Sequence, residues 1–88
     1  MKIAVIAESV DAKTDTPYLI QLIAICETVK EAFGEAYDYL VDITEDTDTY
    51  PNAKISLPYD LEGDTGVGIE LISDNETHKN YVLILFKE

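Results

Sequence analysis

In two polar segments, side chains with carboxylate or hydroxyl oxygens lie at every second position, a spacing that could hold a divalent cation. Asp42, Thr44, Asp46 and Asp48 follow the alternate-ligand spacing of calcium-binding loops. An EF-hand also needs glycine at its sixth position and glutamate at its twelfth, where this chain has threonine and alanine. A second set of alternate acids lies in residues 60–64. Solvated acidic loops are the simpler interpretation, so we predict no metal site and no cofactor.

The tripeptide Asp64-Thr65-Gly66 has the letters of the aspartic-protease motif. That chemistry needs two neighbouring carboxylates that share one proton. Their mutual repulsion in apolar surroundings then gives them two different pKa values. The motif normally follows an apolar strand, whereas Glu62 and Gly63 precede it here. A solvated turn is therefore the better interpretation.

The remaining candidates for catalysis are isolated side chains. Cys26 lies in an apolar stretch, where a small buried hydrophobe is the usual role, and His78 lies in a polar turn. The loop Val10 to Asp15 follows an apolar strand, as phosphate-binding loops do, but it has no glycine. We therefore predict no catalytic residue and no enzyme.

The charge of the chain is large and unevenly distributed. There are 18 acids, six lysines and no arginine, for a net charge of −12. Residues 31–78 hold thirteen of the acids against Lys54 alone, and the two flanking segments sum to zero. Such a field repels nucleic acid and anionic lipid and attracts basic partners. We predict no direct binding to nucleic acid or membrane.

Rows of these acids share a direction in the predicted elements. Glu27, Glu31 and Glu35 form a ridge at the end of a predicted helix, and Asp38 and Asp42 share the outward face of a predicted strand. In extended conformation the acids of the 60–64 segment point the same way, about 6–7 Å apart. The residues predicted to contact a partner are the acids Glu31, Glu35, Asp38, Asp42, Glu45, Asp46, Asp48, Asp60, Glu62 and Asp64, with Tyr50 and Tyr59 as apolar anchors.

Like charges at these spacings destabilise a fold, so a role in function is one reason for the chain to retain these acids. The pattern indicates a non-enzymatic inhibitor that binds the basic nucleic-acid-binding surface of a target protein, such as a nuclease. In size and charge the chain resembles phage-borne anti-restriction and anti-CRISPR proteins, though no motif is shared, and the resemblance implies nucleic-acid mimicry.

Other interpretations of the acidity stay open. Small cytosolic proteins are often acidic for solubility, and salt-adapted proteins are acidic too. The alternative function is a small structural or assembly module, which forms a homodimer or docks on a larger complex through an apolar sheet face.

The elements that position these residues begin with one long helix, predicted over residues 16–33. Thr16 is its predicted N-cap, Pro17 its first residue and Gly34 its stop. Strands are predicted at 2–8, 37–43, 54–59, 67–73 and 80–87. The first and last of these strands are apolar on both faces, which predicts that they lie at the centre of the sheet.

Together the elements predict an α+β fold with one domain, residues 1–88. A single helix packs on a four- to five-stranded mixed, mostly antiparallel sheet in the order β-α-β-β-β-β. One helix covers only one face, so segment 44–66 or a second subunit must cover the other, and we predict a homodimer or a partner site on the sheet face. No apolar run reaches the roughly 18 residues of a membrane span, and no cleavage site follows the first strand, so we predict a cytoplasmic protein.

Overall fold

The structure, a computed structural model, describes residues 2–75 and 77–87. Within these residues one α-helix packs on a six-stranded antiparallel sheet, which confirms the α+β class with slightly more strands than predicted. The strand order is β2-β1-β6-β5-β3, and β4 also pairs with β5. In chain order the elements are β1 (Lys2–Asp11), β2 (Thr16–Cys26), α1 (Val29–Thr44), β3 (Lys54–Ile55), β4 (Tyr59–Asp60), β5 (Gly66–Ile72) and β6 (His78–Lys87).

Strands β1 and β6 lie side by side at the centre of the sheet, as predicted. Ile3 and Val5 of β1 and Ile84 of β6 are fully buried beneath the helix. On the same face, Ser9 Oγ donates a buried 2.8 Å hydrogen bond to Asn80 Oδ1. A shift by one residue would break this bond and turn the apolar side chains outward, so the pair fixes the register of the two strands.

Residues 16–26 form strand β2, and the helix predicted there is wrong. The segment pairs antiparallel with β1 across a tight turn, in which Asp15 has a φ of 58° and donates its backbone N–H to the Asp11 carbonyl. Thr16 and Pro17, predicted to begin a helix, are the first two residues of the strand. Nearly every position is apolar, so helical and extended spacings fit equally well, and pairing with β1 decides between them.

The helix lies later in the chain than predicted, at Val29–Thr44. Its N-cap is Thr28, whose Oγ1 accepts a 3.2 Å hydrogen bond from the Glu31 backbone N–H and donates a 2.9 Å bond to the Glu31 carboxylate. The residues have the spacing of a capping box, but the Glu31 carboxylate accepts from the Thr28 hydroxyl and not from the Thr28 backbone N–H. Gly34, predicted to stop a helix, lies inside this one, and the strand predicted at 37–43 is helical throughout.

The helical conformation also reverses which residues of this segment face the core. Ala32, Ala36 and Leu40 recur every fourth residue and are fully buried against the sheet. Alternation along 37–43 predicts Leu40 outward and Val41 inward. Instead Leu40 has no exposed surface and Val41 is 47% exposed.

The strand predicted at 54–59 is two short strands separated by a segment that includes Pro58, and both pair with β5 at the sheet edge. The acidic segment 60–64 is not extended, because its last three residues form a 3₁₀ turn. Gly63 and Asp64 adopt φ values of 72° and 55° in this turn. The prediction that the acids of this segment all point the same way required an extended chain and is therefore wrong.

The sheet has one covered face and one open face. Helix α1 covers the face of Ile3 and Val5. On the opposite face Tyr59 lies over β5, where a Cβ added at Gly68 would come within 2.5 Å of its ring. The rest of this face is a half-buried to exposed apolar surface, here called the open face, with two rows that cross β2, β1 and β6. These rows are Ile25, Ala4, Leu85 and Leu22, Ile6, Leu83.

Substitution of the helix-interior glycine tests the revised position of the helix. Gly34 is exposed, and a Cβ there would meet nothing within 4 Å. We expect Gly34→Ala to raise the free energy of unfolding by about 0.5–1 kcal/mol, because alanine favours the helical conformation more than glycine does. Urea unfolding followed by circular dichroism measures this change. A loss of stability would contradict a helical Gly34.

Candidate protein-binding surface

Five carboxylates line the solvent face of α1, opposite the buried face. All five are predicted contact residues. Four lie at i, i+4, i+7 and i+11 in a segment that the sequence predicted as two separate elements, and the fifth is the C-cap residue. All five are exposed, and together they span about 21 Å along the helix axis. This set, called the acidic ridge, consists of Glu31, Glu35, Asp38, Asp42 and Glu45.

The two ends of the acidic ridge differ in their electrostatic cost. Glu31 lies in the first turn, where the helix dipole stabilises a negative charge. Asp42 and Glu45 lie at the C-terminal end, where the dipole disfavours acids, and the last turn has no basic residue. The sequence therefore places negative charge where local stability does not favour it.

The loop after the helix extends this charge with Asp46 and Asp48, both exposed. Hydrogen bonds from the Thr49 hydroxyl and backbone N–H lower the pKa of Asp46. Asp46 therefore stays ionised to lower pH than an ordinary aspartate. The loop is tied to the sheet through the Asn75 side-chain amide, which donates a 3.0 Å hydrogen bond to the Thr49 carbonyl.

The other predicted acids form a second patch. Asp60, Glu62 and Asp64 are exposed and precede Gly66 at the start of β5. The loop of Asp46 instead contacts the residues that follow the far end of β5, about 20 Å away along the seven-residue strand. The structure therefore brings the helix acids together and separates them from the 60–64 patch along β5.

The two predicted aromatic anchors have different environments. Tyr50 is half-buried and packs against the core beside Tyr39, whose pKa is raised by burial and then by Tyr50. Tyr59 is 40% exposed on the open side of the sheet. Tyr59 is thus the more accessible of the two rings.

Tyr59 also lines an open pocket of about 320 Å³ that sequence reasoning missed. Glu8 and Tyr81 lie beside it because they are directly paired across β1 and β6. Burial, followed by the negative charge of Glu70, raises the pKa of both tyrosines. Only the register of the strands brings these residues together, so no local signal in the sequence could have found the pocket.

The candidates for metal binding and catalysis are not assembled into a site. In the part of the chain that the structure describes, no three His, Cys, Asp or Glu side chains are grouped to hold a metal ion. Cys26 is buried, and burial, followed by the charges of Glu31 and Glu35, raises the pKa of its thiol. His78 lies at the start of β6, 5.3 Å from the Tyr18 ring centroid. No described helix is long and apolar enough to cross a membrane.

The raised pKa values predict a loss of stability at alkaline pH. Cys26 and the three tyrosines 39, 59 and 81 have pKa values above the ordinary 9.0 and 10.0. Above pH 9–10 the unfolded chain therefore holds fewer protons than the folded one, so the free energy of unfolding falls as pH rises. Thermal unfolding from about pH 8 to about pH 10.5 measures this slope. Tyr81→Phe is expected to make it shallower, and an unchanged slope would contradict the assignment.

Comparisons of the chain with protein-family models, with curated proteins and with solved structures gave no match.

Proposed function

We propose that this protein is a non-enzymatic acidic inhibitor that binds the basic nucleic-acid-binding surface of a target protein. The observation that carries the proposal is the acidic ridge of α1, with all its carboxylates exposed on one helix face. The setting that fits best is inhibition of a nuclease, of the anti-restriction or anti-CRISPR type. The 60–64 patch and Tyr59 are secondary contacts.

The spacing of the ridge suits a surface that evolved to bind phosphates. Its carboxylates recur about every 5 Å along the helix axis. On each strand of duplex DNA one phosphate recurs about every 3.4 Å. The two spacings are of the same order, and long Lys and Arg side chains that contact phosphates can adjust to donate charge-assisted hydrogen bonds to carboxylates of the ridge.

The energetic cost of the ridge also supports a functional role. Like charges at i, i+4 and acids at a helix C-terminus each destabilise the helix by a few tenths of a kcal/mol or more. Acidity needed only for solubility could be placed with both signs interspersed, without these costs. A binding surface, by contrast, requires the carboxylates to lie together.

The test is capture of target proteins from a cell lysate on the immobilised chain, with elution by salt and separately by duplex DNA. A supporting result is a basic nucleic-acid-binding protein released by both eluents, whose binding to DNA or RNA is then inhibited by the purified chain. The charge-reversed variant Glu35→Lys/Asp38→Lys/Asp42→Lys should capture and inhibit much less of it. A target whose nucleic-acid binding is unaffected by the chain would refute the proposal.

The open face favours a second candidate function, a structural or assembly module. Apolar surface extends over β2, β1 and β6, half-buried on β1 and β6 and exposed on the edge strand, where Leu22 and Ile25 are 56% and 60% exposed. Contiguous apolar patches of this kind usually mark contact surfaces. In this function the chain forms a homodimer or docks on a larger complex, and charge reversal on α1 leaves assembly unchanged.

A further inference from the structure

We infer that β2 pairs edge to edge, in antiparallel orientation, with β2 of a second copy of this chain. The inference deepens the second candidate function by naming the interface and its occupant. It does not depend on what the acidic ridge binds.

Strand β2 is an edge that has no charged side chain to oppose pairing. It is 11 residues long and lies at the end of the strand order, so within the described residues its outer side has no neighbouring strand. Natural edge strands are usually blocked by lysine or other charges, by proline or by bulges. Here Pro17 and register shifts near Leu22 and Tyr18 distort the strand, but residues 16–26 contain no charged side chain.

The exposed side chains of β2 are apolar on both faces of the sheet. Leu19 is on the helix side, where it is paired with Ser9, and Ile20 and Leu22 are on the open face. Five large side chains on this one strand are at least half exposed. They are Tyr18 at 55%, Leu19 at 50%, Ile20 at 64%, Leu22 at 56% and Ile25 at 60%. A strand paired along this edge would place neighbouring side chains beside them on both faces of the sheet.

The lack of net charge around β2 favours a second copy as the occupant. Lys13 and Asp15 precede the strand, and Glu27 and Lys30 follow it, so residues 13–30 carry two lysines and two acids and have no net charge. The β2 edge is therefore the surface on which two copies of this acidic chain meet with the least repulsion. Elsewhere the chain carries its entire charge of −12, which draws basic partners to other surfaces and keeps copies apart there.

Edge pairing around a two-fold axis has a defined geometry. The axis is perpendicular to the sheet, and the two six-stranded sheets join as one continuous sheet. Both α1 helices then lie on the same side, so the dimer presents two acidic ridges in one direction. The repulsion between them weakens with salt, because salt screens exposed charges.

Sedimentation equilibrium at low and high salt tests the inference. The expected result is a species of twice the 9.8 kDa chain mass, whose dissociation constant falls as salt rises. Binding of the acidic ridge to a basic target changes in the opposite direction, since salt weakens it. A chain that stays monomeric at high protein concentration and high salt would overturn the inference and leave the ridge proposal intact.

Three matched variants separate edge pairing from packing through the open face. Leu19→Lys places a charge on the β2 edge without changing the open face, and it is expected to raise the dissociation constant at least about 100-fold. Ile6→Thr changes the open face away from the edge, and Leu57→Lys replaces an exposed side chain in a loop, where leucine is 86% exposed. Both should dimerise within about threefold of the unsubstituted chain.

Amide hydrogen exchange of the variants reports the same contact directly. In the dimer the outward amides of residues 18–25 should exchange more slowly than in Leu19→Lys, while β6 amides are unchanged. Dimerisation that survives Leu19→Lys but is lost in Ile6→Thr would overturn edge pairing in favour of face-to-face packing.

Discussion

The variant Glu35→Lys/Asp38→Lys/Asp42→Lys is expected to bind the basic nucleic-acid-binding target at least about 100-fold more weakly than the unsubstituted chain. A hydrogen bond to a charged group contributes about 1.5–3 kcal/mol. About 1.4 kcal/mol corresponds to a factor of ten in the dissociation constant. Reversal of three exposed charges in the middle of the ridge removes such contacts and adds repulsion. Titration of the target, followed by fluorescence anisotropy, measures the change.

A second triple variant of equal net charge is the control. Asp60→Lys/Glu62→Lys/Asp64→Lys also replaces three acids with three lysines, so both variants have a net charge of −12 plus 6, or −6. If overall charge alone drives binding, the two variants weaken it equally. The proposal requires the helix variant to weaken it more, and the salt dependence of association to fall with it.

The stability of the helix variant provides an independent measurement. The substitutions turn the like-charge contacts of residue 35 with Glu31 and of residue 42 with Glu45 into opposite-charge contacts. They also reduce the net negative charge and place cations toward the C-terminal end of α1, where the helix dipole favours them. We expect the melting temperature to rise slightly while binding falls. A lower melting temperature together with weaker binding would indicate that the variant is misfolded.

The substitution Leu40→Ala is expected to lower the free energy of unfolding by about 2–5 kcal/mol. Leu40 has no exposed surface and packs with Ile3, Val5 and Ile69 in the core. Its truncation removes buried apolar surface and leaves a cavity in a domain whose total stability is of order 5–15 kcal/mol. Urea unfolding, monitored by circular dichroism, measures the loss.

The adjacent residue is a matched control. Val41→Ala removes two methyl groups from a side chain that is 47% exposed, and it should change stability by less than about 0.5 kcal/mol. A strand at 37–43 would give the reverse pattern, with the larger loss at Val41. The pair of variants therefore tests the assignment of the helix as well as the position of the core.

Much of the fold could be predicted from local patterns in the sequence. The apolar runs of β1 and β6 indicated central strands, and the strand predicted at 67–73 is β5, which pairs with β6. The helix was missed although Thr28 and Glu31 have the spacing of a capping box. That signal is short, whereas the apolar run that begins at Thr16 is long and fits both helix and strand.

The acids on α1 were chosen as contact residues from the density of charge and from a predicted geometry that is partly wrong. Glu35 and Asp38 were assigned to different elements, yet the structure places them one turn apart on the same helix face. The pocket beside Tyr59 and the exposed edge of β2 could not be predicted. Both depend on which strands pair and in what register, and a single sequence does not encode that information locally.

The central pairing of β1 with β6 also determines how the protein is made. The hydrogen bond between Ser9 and Asn80 joins residues 71 positions apart, whereas the β1–β2 hairpin is local. At about 5–20 residues per second, translation leaves roughly 4–14 s between the emergence of β1 and that of β6. During this interval the nascent hairpin exposes two unpaired edges and two apolar faces. Translation speed and chaperone capture therefore act on this chain before the stability of the finished fold can protect it.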